Sequence, residues 1–191
     1  MQPRSRTFSF RRLSRQLSDD SRGTAAAEFA IILPAILAFA FGATEVLNLI
    51  ALDRKLTLTA RAVSDIVAQA TKVNDADMAN VLSSGKVLLQ PYPDNELKIR
   101  VSAVNIDANK KATVVWSDAS PPSEARGNGA VTIPAALLIA NTQLIWGEVA
   151  YTYKPNFGAF SLKTSWTLSY ENNNFFARPR ESSGVCRSGC S

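Results

Sequence analysis

Histidine is absent from the 191 residues. That removes the side chain that titrates near neutrality, the usual general base and the commonest metal ligand. Cysteine is almost as scarce: Cys186 and Cys190 are the only two, both within the last six residues. Two thiols without histidine partners cannot complete a four-ligand zinc site. In an exported domain they either oxidise to each other across a restrictively short loop, or remain as thiols or an intermolecular bridge in a polar tail. Ser, Asp and Lys are present, but no nucleophile–base spacing stands out. The sequence therefore predicts no enzyme, no metal and no other cofactor.

Net charge is nearly missing as well, once the start of the chain is set aside. Of the formal +5, residues 1–23 carry +4, from Arg4, Arg6, Arg11, Arg12, Arg15 and Arg22 against Asp19 and Asp20. The remaining +1 comes from 15 basic and 14 acidic side chains. A basic tail can neutralise phosphates, but one directly ahead of an apolar run sets membrane orientation instead. No nucleic-acid partner is expected. The N-terminus should stay cytoplasmic, with everything after the span exported.

From Phe29 to Thr44 there is no charge over 16 residues, and apolar character resumes through Leu52. Counted from Ala25 to Leu52 the segment has 28 residues, interrupted by Glu28, Glu45 and Asn48. About 20 apolar residues cross a bilayer core, so this is a one-pass segment, too long for an ordinary signal-peptide core. Ala38-Phe39-Ala40 does match a signal-peptidase site, which leaves removal of the segment and secretion as an alternative. Within the span a carboxylate is costly and calls for a partner.

Beyond the span, Leu49, Leu52, Leu56, Thr59, Val63, Ile66, Ala70 and Val73 fall on alternating three- and four-residue steps, an amphipathic stripe. One helix from Thr24 to Val73 would be about 75 Å long, modestly kinked at Pro34. Arg61 and Asp65 can pair across one turn. A second helix is expected over Ala76–Leu89, capped by Asp75 and ended by Pro91-Tyr92-Pro93. The period then changes to two: Leu97, Ile99, Val101 and Ala103 alternate with polar residues, and Ala112–Ser117 completes a hairpin. Residues 118–130 read as a loop and Pro134–Ala140 as a short helix. Two further strands follow, one with Ile145, Val149, Tyr151 and Tyr153 on one face, the other with Phe160, Leu162, Trp166, Leu168 and Tyr170. Pro155-Asn156-Phe157-Gly158 turns the chain between them.

The expected fold is α+β: a long N-terminal transmembrane and amphipathic helix packed on a small antiparallel sheet of about four strands. Residues 1–23 form a basic leader, 24–52 the transmembrane helix, 53–175 a head that continues the helix, and 176–191 a flexible tail.

Arg22-Gly23-Thr24-Ala25-Ala26-Ala27-Glu28-Phe29 sets a carboxylate five residues after a glycine, behind basic residues and ahead of a membrane-length run. This combination resembles the processing site of type IV pilin-like proteins, specifically TadE-like minor pilins, or pseudopilins, of the tight-adherence (Tad, Flp-type) pilus machinery. The resemblance covers residues 22–66, including the acidic Glu45 toward the far end of the span. Glu148-Val149-Ala150-Tyr151-Thr152-Tyr153-Lys154-Pro155 and Arg178-Pro179-Arg180 resemble patterns in TadE- and TadG-like proteins more loosely.

The resemblance implies a pilin-like head in the periplasm and a single-pass anchor in a bacterial inner membrane. A prepilin peptidase would cut between Gly23 and Thr24, making Glu28 the fifth residue of the mature chain. Glu28, beside Phe29, would pair the N-terminal amine of a neighbouring subunit during assembly. Such a pair offsets two charges that are each unfavourable in a low dielectric. The first turn of the new helix would favour the carboxylate. Glu45 either pairs a partner in the machine or marks the outer membrane interface. Partners implied are the peptidase, other Tad pilus subunits and the assembly platform. Major Tad pilins are little more than the first helix, whereas 168 residues follow Gly23 here. TadG-like members carry a metal-binding Asp-x-Ser-x-Ser cluster, which Asp118-Ala119-Ser120-Pro121-Pro122 breaks at its last position. From a different class, a signal-anchored periplasmic binding or adhesion domain would share the same N-terminal features.

Overall fold

The computed structural model describes residues 23–155 and 165–188. The basic leader ahead of Gly23, the turn at 156–158, Phe160, Leu162 and Cys190 lie outside the described residues. The chain divides into two compact units, one running through Thr44 and the other beginning at Glu45.

Helix α1 runs over Thr24–Ala68 and continues through Pro34. Over Thr24–Thr44 its large apolar side chains are open, Ile31 at 79% and Phe39 at 80% exposed. Apolar surface left uncovered at that density is costly in water. Among the described residues, α1 is the helix long and apolar enough to cross a membrane.

In the second unit the same helix buries Leu52, Leu56, Ala60, Val63 and Val67. Ile66, expected on the buried stripe, is 45% exposed, and Val67 takes its place. A pattern of period 3.5 drifts around a straight helix of period 3.6. The helix stops at Ala68, short of Val73, where Gln69 N–H and Ala70 N–H close on the carbonyls of Ile66 and Val67.

After a turn come β1 (Lys72–Val73) and α2 (Asp75–Leu89). The cap of α2 is Asn74 rather than Asp75: Asn74 Oδ1 accepts from Asp77 N–H while Asp77 Oδ2 accepts from Asn74 N–H, a reciprocal capping box. Gly85 lets α2 approach closely, since a Cβ there would stand 2.6 Å from Ile99 Cδ1 and 3.1 Å from Val63 Cγ1.

The hairpin β2 (Leu97–Ile106) and β3 (Ala112–Ser120) follows, then β4 (Gly129–Ala130), β5 (Thr142–Tyr153), β6 (Trp166–Leu168), β7 (Asn174–Ala177) and β8 (Cys186–Arg187). Six of these make one antiparallel sheet in the order β4-β3-β2-β5-β6, with β7 also on β5. The expected four strands become six because β5, at 12 residues, accommodates two successive partners along one edge and β4 adds to β3. Instead of the short helix at Pro134–Ala140 there is a single 3-10 turn, Ala135–Leu137.

Alternation decides the two faces. Ile99, Val101, Ala103, Ile145, Val149, Tyr151 and Tyr153 join the α1 core. From Val104 a second cluster forms with Ile106, Val114, Leu144 and Trp146. A register shift between Ala103 and Val104 in the β2–β3 pair lets Trp116 serve the first cluster and Val114 the second. The sheet is therefore covered on both faces, the second by Val131, Ile133, Leu137, Leu138 and Phe176. Gly147 is where α1 meets the sheet: an added Cβ would collide with the Ala60 carbonyl and stand 3.0 Å from Ser64 Cβ.

Residues 176–188, expected as a tail, carry the end of β7 and all of β8. Strand β8 lies parallel to β1, with Lys72 opposite Cys186 and Val73 opposite Arg187. Val185 is 1% exposed and its carbonyl accepts from Trp116 Nε1–H at 3.1 Å. Arg187 forks onto Asp118 at 2.8 and 3.0 Å and reaches Asp75 at 2.7 Å. The hydrogen-bonded Asp118 carboxylate raises the Arg187 pKa most, against burial, and Asp75 adds to it.

Candidate functional site

Gly23 immediately precedes α1, is exposed, and has open space where a side chain would stand. Thr24 is the first α-helical residue and is exposed too. The Gly23–Thr24 peptide bond therefore sits at the start of α1, between two exposed residues. Glu28 and Phe29 are exposed, Phe29 at 59%. The first turn holds no acidic residue; Glu28 opens the second turn, so the helix dipole acts on it less than the sequence reading supposed.

Glu45 is set differently. It is half-buried, and its Oε2 accepts a 2.6 Å hydrogen bond from Tyr153 Oη–H on β5. Burial first, then this hydrogen bond to Glu45, push the Tyr153 phenol well above the ordinary tyrosine range. One turn further on, Tyr92 Oη–H donates to the Asn48 carbonyl at 3.4 Å. Tyr92 also stands edge-on to Tyr151, with ring centres 6.4 Å apart. As expected, Tyr151 and Tyr153 fill the core, each 4% exposed, but Tyr153 also supplies the polar contact that a half-buried glutamate needs.

A family model described as TadE-like protein matches Gly23 to Asp65. Residues 23–65 are TadE-like. The match opens on Gly23, contains Glu28, Phe29 and Glu45, and covers α1 to within three residues of its end. No curated protein and no solved structure matches the chain. The head beyond the TadE-like segment is accordingly read from its own contacts.

The strongest of those contacts escaped the sequence reading. Glu148, 1% exposed, lies between two guanidinium groups: Arg100 binds it at 2.8 and 2.8 Å, Arg126 at 3.0 and 2.7 Å. Arg100 faces it across the β2–β5 register, whereas Arg126 arrives from the loop before β4. Each guanidinium lies over an aromatic ring, Arg100 4.3 Å from Tyr170 and Arg126 4.1 Å from Trp146. Trp146 in turn stacks on Phe176 at 5.0 Å. Glu124 takes Lys98 at 2.7 Å and Tyr170 at 3.1 Å. The Lys98 hydrogen bond chiefly holds Glu124 below the usual carboxylate range, while burial and the Glu124 hydrogen bond raise Tyr170. The available signal was a glutamate interrupting an otherwise apolar strand, which calls for buried partners.

One expected pairing changes. Asp65 bonds Arg180 at 2.7 Å rather than Arg61, and Arg61 instead lies 5.1 Å from the Phe175 ring. Arg180, expected in a solvated tail, also donates its backbone N–H to the Ala68 carbonyl at 2.9 Å, so it closes the C-terminal end of α1. Arg178 is exposed. Cys186 is disulfide-bonded.

Proposed function

We propose that this chain is a minor pilin, or pseudopilin, of a Tad-type pilus, held in the bacterial inner membrane by the first part of α1 with its head in the periplasm. A prepilin peptidase cuts after Gly23. Glu28 then pairs a subunit's N-terminal amine and sets assembly register beside Phe29. The observation that carries this reading is the TadE-like match beginning at Gly23, an exposed residue immediately ahead of α1. A TadE-like segment supports involvement in a Tad pilus. The 16 uncharged residues Phe29–Thr44 rise about 24 Å as helix, most of a hydrocarbon core.

Glu28 is the residue for intermolecular pairing. Glu45 already takes a hydroxyl from its own head, which favours a bracing role. Cys186 pairs with Cys190, the chain's other cysteine, as an exported compartment allows.

Mass spectrometry of the mature chain from a host with an active prepilin peptidase tests the cut. An N-terminus at Thr24 is expected, and Gly23→Ala should retain the leader. A chain starting at Met1 or at Phe41 would overturn the proposal, the latter in favour of signal-peptidase cleavage.

A further inference from the structure

Counted from Phe29, the roughly 20 residues that cross a hydrocarbon core run out near Asn48. At Asn48 the head meets the helix through aromatic side chains, with Tyr92 on the Asn48 carbonyl and Tyr153 on Glu45. Beside them opens a groove of about 700 Å³, lined by Pro91, Tyr92, Pro93, Asn95, Tyr153 and Lys154 among others. Tyrosines with an apolar body and polar tip, and lysines with long apolar stems, are side chains that settle at a membrane–water interface.

The two charged residues that line the groove form one ion pair. Lys154 Nζ lies 2.6 Å from Glu96 Oε1, with the lysine side chain 65% exposed. Lys55 stands outside the lining, its Nζ 5.7 Å from the Tyr92 ring centre and donating to the Gln90 carbonyl. The rim thus offers a cation and an anion side by side, complementary to a phosphate and an ammonium held on one headgroup. A groove with unbalanced lysines would instead select anionic lipid.

We propose that this groove docks on the lipid surface, taking zwitterionic phospholipid headgroups of the membrane that α1 crosses, an inference that rests on the reading of α1 as a span. Docking holds the Tyr92–Tyr153 end of the head in the headgroup layer and points the β2–β3 turn away from it.

The full chain is reconstituted in vesicles of phosphatidylcholine and phosphatidylethanolamine, with a spin label on Asn95→Cys or, separately, on Pro93→Cys. A label on Ala108→Cys, at the other end of β2, supplies the reference, and the parent chain the background. Accessibility to a water-soluble nickel relaxant should be severalfold lower at the groove positions than at Ala108→Cys. It should not change when phosphatidylglycerol is added. Equal accessibility at both ends would overturn the docking, and protection that appears only with phosphatidylglycerol would overturn the zwitterionic assignment. If the chain does not float with the vesicles, the span fails and docking fails with it. Flotation with an unprotected groove removes docking alone.

Discussion

Tyr153 Oη–H donates to Glu45 Oε2 across 2.6 Å, joining strand β5 to the point on α1 where the head begins. The two residues are 108 positions apart in sequence, so the contact forms only when the sheet has closed on the helix.

Tyr153→Phe keeps the ring and deletes the donor. A hydrogen bond to a charged group contributes about 1.5–3 kcal/mol, and half-burial of Glu45 puts the expected loss at the lower end. The pH dependence has a defined sign. Tyr153 and Tyr170 titrate above their unfolded value of about 10. Their contribution is complete below that pH and is lost as pH rises through the higher folded values. Urea unfolding of the full chain in detergent should show stability falling above about pH 10, less steeply in Tyr153→Phe.

Removing Glu148 leaves two guanidinium groups facing each other without their shared anion. Breaking a buried ion pair costs about 3–5 kcal/mol, and Glu148→Ala should lie in that range. Arg126→Ala should cost less, its side chain being 28% exposed against 12% for Arg100. Because both arginines share one carboxylate, a double-mutant cycle in urea should show strong non-additivity. Additive losses would mean that the three side chains act independently.

Gly147 and Gly85 separate two kinds of close approach. At Gly147 a methyl meets the Ala60 carbonyl, which is backbone of a helix, whereas at Gly85 it meets the end of the Ile99 side chain. Overpacking costs about 1–3 kcal/mol. Gly147→Ala should reach the top of that range and Gly85→Ala fall well below it, by midpoint of urea unfolding.

Glu28→Gln should leave cleavage and membrane insertion intact and lower incorporation into pili severalfold. The readout is the ratio of sheared to membrane-bound chain. Unchanged incorporation would dismiss Glu28 as the register residue.

The long apolar helix, the hairpin and the core face of β5 were legible because each repeats one period over enough residues to leave a single reading. The TadE-like segment was legible because charge and glycine stand out against an apolar background. Strands β4, β7 and β8 were not: two to four residues carry no periodicity, and partners such as Trp116 and Gln143 for residues 184 and 185 lie far away in sequence. The Arg100–Glu148–Arg126 cluster was hidden for a related reason. Alternation assigns a face to Glu148 and Arg100, but nothing local says that a loop arginine will reach over them. The stripe on α1 was misread at Ile66 by one step, the angular drift of a 3.5-residue pattern on a 3.6-residue helix.

Strand β8 closes against β1 through residues 186 and 187, and Arg187 reaches back to Asp75 and Asp118. A ribosome must therefore have passed residue 187 before those contacts can exist. Until then the head lacks its clasp. Order of manufacture is thus written into the fold: the helix is finished before the strand that fastens the head.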